Sequence, residues 1–141
     1  MHHIAIMNPK WKLIPKILSW EKIIESRWYQ TKRTPWDRVK EWDMFYFKDS
    51  WKSVTAKAEV SKILQFENLW AKIFEEIIHK YWKDICLINM NYDSWYESKK
   101  YCILIFLKKP EKVEPFEIDK TWFWTGCAWI TVSDIEKIKF N

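Results

Sequence analysis

Apolar residues along the 141-residue chain fall into short runs whose period changes several times. His3 to Met7 places Ile4 and Ile6 on one face and predicts a short strand. Leu13, Ile14, Ile17 and Leu18 recur at helical spacing and predict a helix over Leu13 to Ser19, with Pro15 tolerated in its first turn. Ile23 to Tyr29 extends as a strand, followed by a polar, Pro-containing loop from Gln30 to Lys40. Met44 to Lys48 and Val54 to Val60 predict a hairpin around Asp49-Ser50-Trp51-Lys52. Its second arm alternates, with Val54, Ala56, Ala58 and Val60 inward and Thr55, Lys57 and Glu59 outward. Asn68 caps a second predicted helix with the stripe Leu69, Ile73, Phe74, Ile77, Ile78 and Tyr81. Tyr92 to Glu97 reads as a helical turn and Tyr101 to Leu107 as a central apolar strand. Phe116, Ile118 and Ala128 to Val132 add further strands, and Asp134 to Ile138 a last helical turn. The expectation is one α+β domain over residues 1–141. It takes the form of a small, partly closed β-barrel of about five to seven strands with two or three flanking helices.

Composition changes this picture at the turns. The chain has twelve tryptophans and one glycine, against the roughly ten glycines that an average of about 7% would give. Several tryptophans stand where the backbone calls for glycine. Trp20 and Trp82 follow the two helical stripes, Trp51 sits in the hairpin turn, and Trp42 precedes Asp43. Trp122 and Trp124 crowd Thr121 to Gly126. Helix ends and tight hairpins demand φ > 0, which a bulky residue resists at about 1–2 kcal/mol. The pattern is that of a chain whose UGA codons mean glycine but are written as tryptophan. Trp20, Trp42, Trp51, Trp82, Trp122 and Trp124 are the positions concerned, with Trp70 the least clear. The plain alternative is a Trp-rich chain that tolerates them.

The net charge of +5 suits a polyanionic partner and equally suits a Lys-biased composition, so charge alone decides nothing. Cys86, Cys102 and Cys127 show no C-x-x-C spacing and read as reduced thiols, which points to the cytoplasm. No stretch approaches a membrane span. His2, His3 and His79 form no metal set. His2 and His3 read as solvated residues at a mobile end and His79 as a solvated helix residue, so neither a metal nor a cofactor is expected.

The chemistry concentrates in Ser19-Trp20-Glu21-Lys22-Ile23-Ile24-Glu25-Ser26-Arg27. In a strand, Glu25 and Arg27 share one face while Ile24, Ser26 and Trp28 take the other. Lys22 sits at the preceding turn, where its head can swing over the Glu25–Arg27 face. Such a cluster suits a polar planar ligand: Arg forks to phosphate or a base edge, Glu accepts from an amine, and Lys neutralises a phosphate. A Glu25–Arg27 ion pair that only fixes the strand end is the alternative. Next along the chain, Trp28, Tyr29, Lys32, Arg33 and Trp36 interleave aromatics with cations. That combination serves single-stranded nucleic acid, and serves equally a packed loop with solvated charges.

The segment resembles the signature of ASCH domains, of the PUA-like superfamily, whose pattern is Gly-x-Lys-x-x-Glu-x-Arg. Lys22, Glu25 and Arg27 match, and Trp20 stands at the glycine. Trp11 to Leu18 looks like the family's entry helix, Asp43 to Ser50 like its following strand and hairpin, and Tyr101 to Phe106 and Ala128 to Ile130 like late barrel strands. The resemblance implies a PUA-like barrel that binds RNA or a nucleotide-like ligand. Lys22, Glu25 and Arg27 would form the cleft, with Trp28, Tyr29, Lys32 and Arg33 at its rim. Some members are amidohydrolases acting on acylated cytidine, with the motif lysine and a threonine three residues on. Here Glu25 holds the threonine position, so Lys22 and Glu25 would be catalytic in that reading. Others have been associated with ribonuclease activity. A protein-interaction module with a vestigial cleft is the third reading, and the balance leans away from an enzyme.

Overall fold

The computed structural model describes residues 1–87, 96–123 and 126–140. Six strands form one mixed sheet: β1 (His2–Met7), β2 (Ile24–Tyr29), β3 (Met44–Asp49), β4 (Val54–Phe66), β5 (Tyr101–Phe116) and β6 (Trp129–Val132). Their order is β2-β5-β4-β3-β1-β6. Two α-helices accompany them, α1 (Leu13–Leu18) and α2 (Ala71–Ile85). This is the small α+β half-barrel that the pattern predicts. The helical turn expected over Tyr92 to Glu97 lies mostly outside the described residues. A 3-10 turn follows at Tyr96–Ser98.

β3 and β4 form the expected hairpin, and every pairing but one is antiparallel. The exception is β1 with β3, which run parallel with His3 opposite Phe45. β4 and β5 extend well past their apolar cores. Their ladder shifts register three times, and Lys109 takes φ 50° just before Pro110. Such bulges bend a strand and accommodate a residue that has no N–H to donate. Phe116 ends β5 rather than opening a new strand, and Ile118 makes a single bridge to Lys139.

The core has three parts. Phe45, Phe47, Ala58, Ile103 and Ile105 fill the inner face of the sheet beneath Leu13, Ile14 and Ile17 of α1. Phe74, Ile77 and Ile85 of α2 pack on Ile24, Trp28 and Leu104. Ile4, Val54, Ile118, Ile130 and Ile135 close the end near β6. β1 is therefore covered on both faces, which its short sequence does not reveal.

The turn residues sort the tryptophans. Trp20 follows the Ser19 cap of α1 at φ 66°, Trp42 takes φ 73° and Trp51 takes φ 66°. Lys52 N–H donates to the Asp49 carbonyl at 3.0 Å, which makes Trp51 the third residue of a turn with φ > 0, the site that type II turns give to Gly or Asn. Trp82 differs from its expected role. α2 continues to Ile85, and Cys86 takes the left-handed cap at φ 62°. Trp70, in extended conformation, is the N-cap of α2, while the expected cap Asn68 is left-handed at φ 55°. Trp122 is not among the residues with positive φ, and Trp124 lies outside the described residues.

His3 overturns its expectation as a solvated terminal residue. It is fully buried between the rings of Phe45 and Trp129. Nε2 lies 2.8 Å from Asp43 Oδ2 and Nδ1 lies 3.0 Å from Thr131 Oγ1. Burial pushes the His3 pKa below its ordinary value, against the opposing hydrogen bond and charge of Asp43. Burial also pushes Asp43 upward, but hydrogen bonds from His3, the Lys40 N–H and the N-terminal amine hold its carboxyl below the ordinary value. Both shifts have the same sign in linkage. The unfolded chain binds protons more readily, so stability is full above the ordinary His pKa of 6.5 and falls as pH drops through the folded one. Denaturant midpoints measured between pH 7 and 5 should decline, and His3→Phe should flatten the decline. A flat wild-type profile over that interval would contradict the assignment.

Candidate functional site at the sheet seam

β2 and β6 are the two edges of the sheet. Arg27 reaches from one toward the other. Its Nη1 donates to the Ala128 carbonyl at 3.4 Å, its guanidinium stands over the Trp129 ring at 5.1 Å, and Nη2 contacts Met7 Sδ at 3.8 Å. The alternation of β2 dictates this. Glu25, Arg27 and Tyr29 point to the inner face, while Ile24 and Trp28 pack against α2. Trp28 is accordingly buried 5.3 Å from Phe74, with its indole N–H on Ser26 Oγ at 3.0 Å. It lies on the helix side of the strand rather than at the rim.

Glu25 is 4% exposed. Its Oε1 is 3.8 Å from Arg27 Nε, while Oε2 and Arg27 Nε have no hydrogen-bond partner among the described residues. A buried polar atom without a partner costs about 1–3 kcal/mol. Two such atoms in one ion pair mark a site whose polar groups are incompletely satisfied by the protein itself.

Lys22 is placed differently from the expected converging cation. It is 2% exposed, and its ammonium donates to the carbonyls of Ile24 at 2.8 Å and Ile85 at 2.6 Å. Burial lowers its pKa, with the charge of Glu25 opposing. The lysine ties the start of β2 to the end of α2.

In front of Arg27 lies a cavity of about 880 Å³ whose lining includes Tyr29, Arg33, Arg38, Lys40, Trp129 and Thr131. Arg33 stands over the Tyr29 ring at 5.0 Å. Burial raises the Tyr29 pKa, opposed by the charges of Arg27 and Arg33. Lys32 turns elsewhere, pairing with Glu67 at 3.3 Å and lying near the rings of Trp36 and Tyr101. Of the residues singled out by sequence, the structure brings Arg27, Tyr29 and Arg33 to the cavity with Glu25 behind them. Lys22, Trp28 and Lys32 stand apart from it. Arg38 and Lys40, on the loop between β2 and β3, and Trp129 and Thr131 of β6 escaped sequence reasoning, because only the assembled sheet brings that loop and β6 to one cavity with Arg27. Among the described residues no group of three or more His, Cys, Asp or Glu is placed to hold a metal.

The architecture has solved counterparts. ASCH from Zymomonas mobilis superimposes with a TM-score of 0.70 over 96% of this chain and 90% of that one, at 16% identity. A point variant of that protein gives the same score, identity and coverage of this chain, over 93% of its own. This chain has the ASCH fold. The N-terminal domain of Staphylothermus marinus McrB is more distant, with a TM-score of 0.56 and 11% identity over 93% of this chain and 87% of that one. No protein-family model and no curated protein matches the sequence. Within the ASCH fold, the Glu25–Arg27 strand is the edge that faces the closing strand.

The seam has an energetic signature. Arg27→Met should destabilise the protein by about 2–4 kcal/mol in urea titrations, because it leaves Glu25 charged, buried and unpaired. Adding Glu25→Gln should recover at least half of that loss. Strict additivity of the two changes would exclude coupling between them.

Proposed function

We propose that the cavity at the seam binds RNA or a nucleotide-like ligand. The observation that carries this reading is the half-satisfied Glu25–Arg27 pair behind a cavity lined by Arg33, Arg38 and Lys40. Among the described residues Arg27 Nε and Glu25 Oε2 are buried without a partner, and of the pair Arg27 lines the cavity. Its guanidinium is the group a nucleobase edge or a phosphate would engage, and phosphate also answers the surrounding cations. The Tyr29 ring is overlaid by Arg33 and Trp129 by Arg27, so guanidinium planes, as much as aromatic faces, are presented for base stacking. Fold likeness to ASCH domains agrees with this reading.

A hydrolase would need Lys22 as a free amine near the substrate. Its commitment to two backbone carbonyls favours binding over catalysis. No described helix is long and apolar enough to cross a membrane. We further propose the cytoplasm as the site of action, from the reduced state expected of the three cysteines.

Binding is tested by fluorescence anisotropy with labelled hexauridylate at low salt. Arg33→Ala and Lys40→Ala each leave the core intact and should each weaken affinity about three- to ten-fold, as expected for losing one charged contact. The wild-type log-log salt slope should be roughly −0.7 for each phosphate neutralised. No binding at low ionic strength would remove RNA as the ligand.

A further inference from the structure

We propose that a second cavity, around Lys48, holds a phosphate group of the ligand bound at the seam. Lys48 is a strand residue of β3, opposite Ile6 of β1 and Val54 of β4. It is 6% exposed. No hydrogen bond or ion pair to its ammonium is found among the described residues, and the ammonium is not one of the fully buried unpartnered atoms. Lysine is seldom this covered; here the stem is buried while the ammonium opens onto the space beside it. Lys22 shows how this fold satisfies such a group when its role is structural, with two carbonyls within 2.8 Å. Lys48 has no equivalent.

What it has instead is a cavity of about 600 Å³, lined also by Lys120, Ser50 and Asn8. Burial lowers the Lys48 pKa and the nearby charge of Lys120 lowers it further, with Glu117 opposing. Two cations that repel each other across a cavity, one of them on a buried stem, are relieved together by one oxyanion. Ser50 and Asn8 bring hydrogen-bonding side chains to the same space. Phe123, Cys127 and Ala128 line this cavity and the seam cavity alike. The two are neighbours across one wall, so a ligand longer than one nucleotide has a place for its next phosphate.

That assignment rests on the seam being a nucleotide site, and the test separates the two. Lys48→Met keeps the length and the covered stem of the side chain while removing its charge and the repulsion from Lys120, so its unfolding midpoint should equal or exceed that of wild type. Its affinity for hexauridylate should fall about ten-fold, the loss of one charge-assisted contact. The salt slope should shrink by roughly 0.7. Inorganic pyrophosphate should shift the Lys48 Nζ resonance in lysine-labelled wild-type protein. Unchanged affinity and slope in a folded Lys48→Met protein that still binds hexauridylate would overturn the phosphate site and leave the seam intact. A pyrophosphate shift in a protein that ignores hexauridylate would support the anion site while removing the RNA reading. Absence of both responses would sink the proposal.

A separate observation supports a second inference. Trp20, Trp42 and Trp51 hold φ of 66°, 73° and 66° and are exposed by 58%, 70% and 90%. Their indoles thus gain little burial to offset the left-handed backbone. We infer that glycine occupies these three positions in the protein as its own organism makes it, through UGA codons read as glycine. UGA at all three codons, and glycine in the corresponding tryptic peptides of natively made protein, is the expected result. A UGG codon or a tryptophan-containing peptide at any of the three overturns the inference for that position. In recombinant protein carrying tryptophan, each change to glycine should raise the urea unfolding midpoint.

Discussion

A linear sheet of six strands has two edges, and the ASCH fold brings them face to face without hydrogen-bonding one to the other. Arg27 spans what remains between them. Its side chain leaves the β2 edge, stacks on Trp129 and reaches the Ala128 carbonyl at the opposite edge. The cavity owes its position to this one contact, since it opens where β2 and β6 approach without zipping. Its charge has the same origin. A guanidinium with five donors is not exhausted by one carbonyl, one thioether and a loose carboxylate contact.

The two buried lysines show how the same side chain serves opposite ends. Lys22 disappears into a joint between α1, β2 and α2, reinforced by Ile23 N–H on the Asp84 carbonyl at 3.0 Å and Leu107 N–H on the Ile23 carbonyl at 2.8 Å. Its charge is satisfied by dipoles that the fold already holds in place. Among the described residues Lys48 meets no such dipoles, so two lysines of similar burial differ in the fixed acceptors around their ammonium groups.

Local information in the sequence carried the strand and helix pattern well. The alternation of Val54 to Val60, the stripe of α2 and the two-residue spacing of Glu25 and Arg27 all arise from geometry within one element, and each appears as expected. The turn at Trp51 and the helix end at Trp20 were legible for the same reason, because φ > 0 is a local demand. Contacts set by topology were not. Trp82 resembled a helix terminus because its apolar stripe ends at Tyr81, yet α2 continues until Ile85 packs on the sheet. His3 looked solvated because nothing near it in sequence announces Asp43 or Thr131. The head of Lys22 was drawn to Ile85, sixty-three residues away, rather than to the Glu25–Arg27 face. The parallel pairing of β1 and β3, and with it the composition of the cavity wall, arises only once the whole sheet assembles.

The position of β1 has a consequence for how the chain reaches this state. β1 is flanked by β3 on one side and β6 on the other, and His3 meets a threonine 128 residues further along. The β3–β4 hairpin and its extension into β5 rest on nearer neighbours and form without β6. Until the last strand arrives, β1 docked on β3 presents an open ladder of N–H and C=O groups, the kind of edge that pairs with any strand it meets. Four residues, Trp129–Val132, cover it. During synthesis only what delays a second chain from reaching that edge protects it; afterwards the shortest strand of the sheet does.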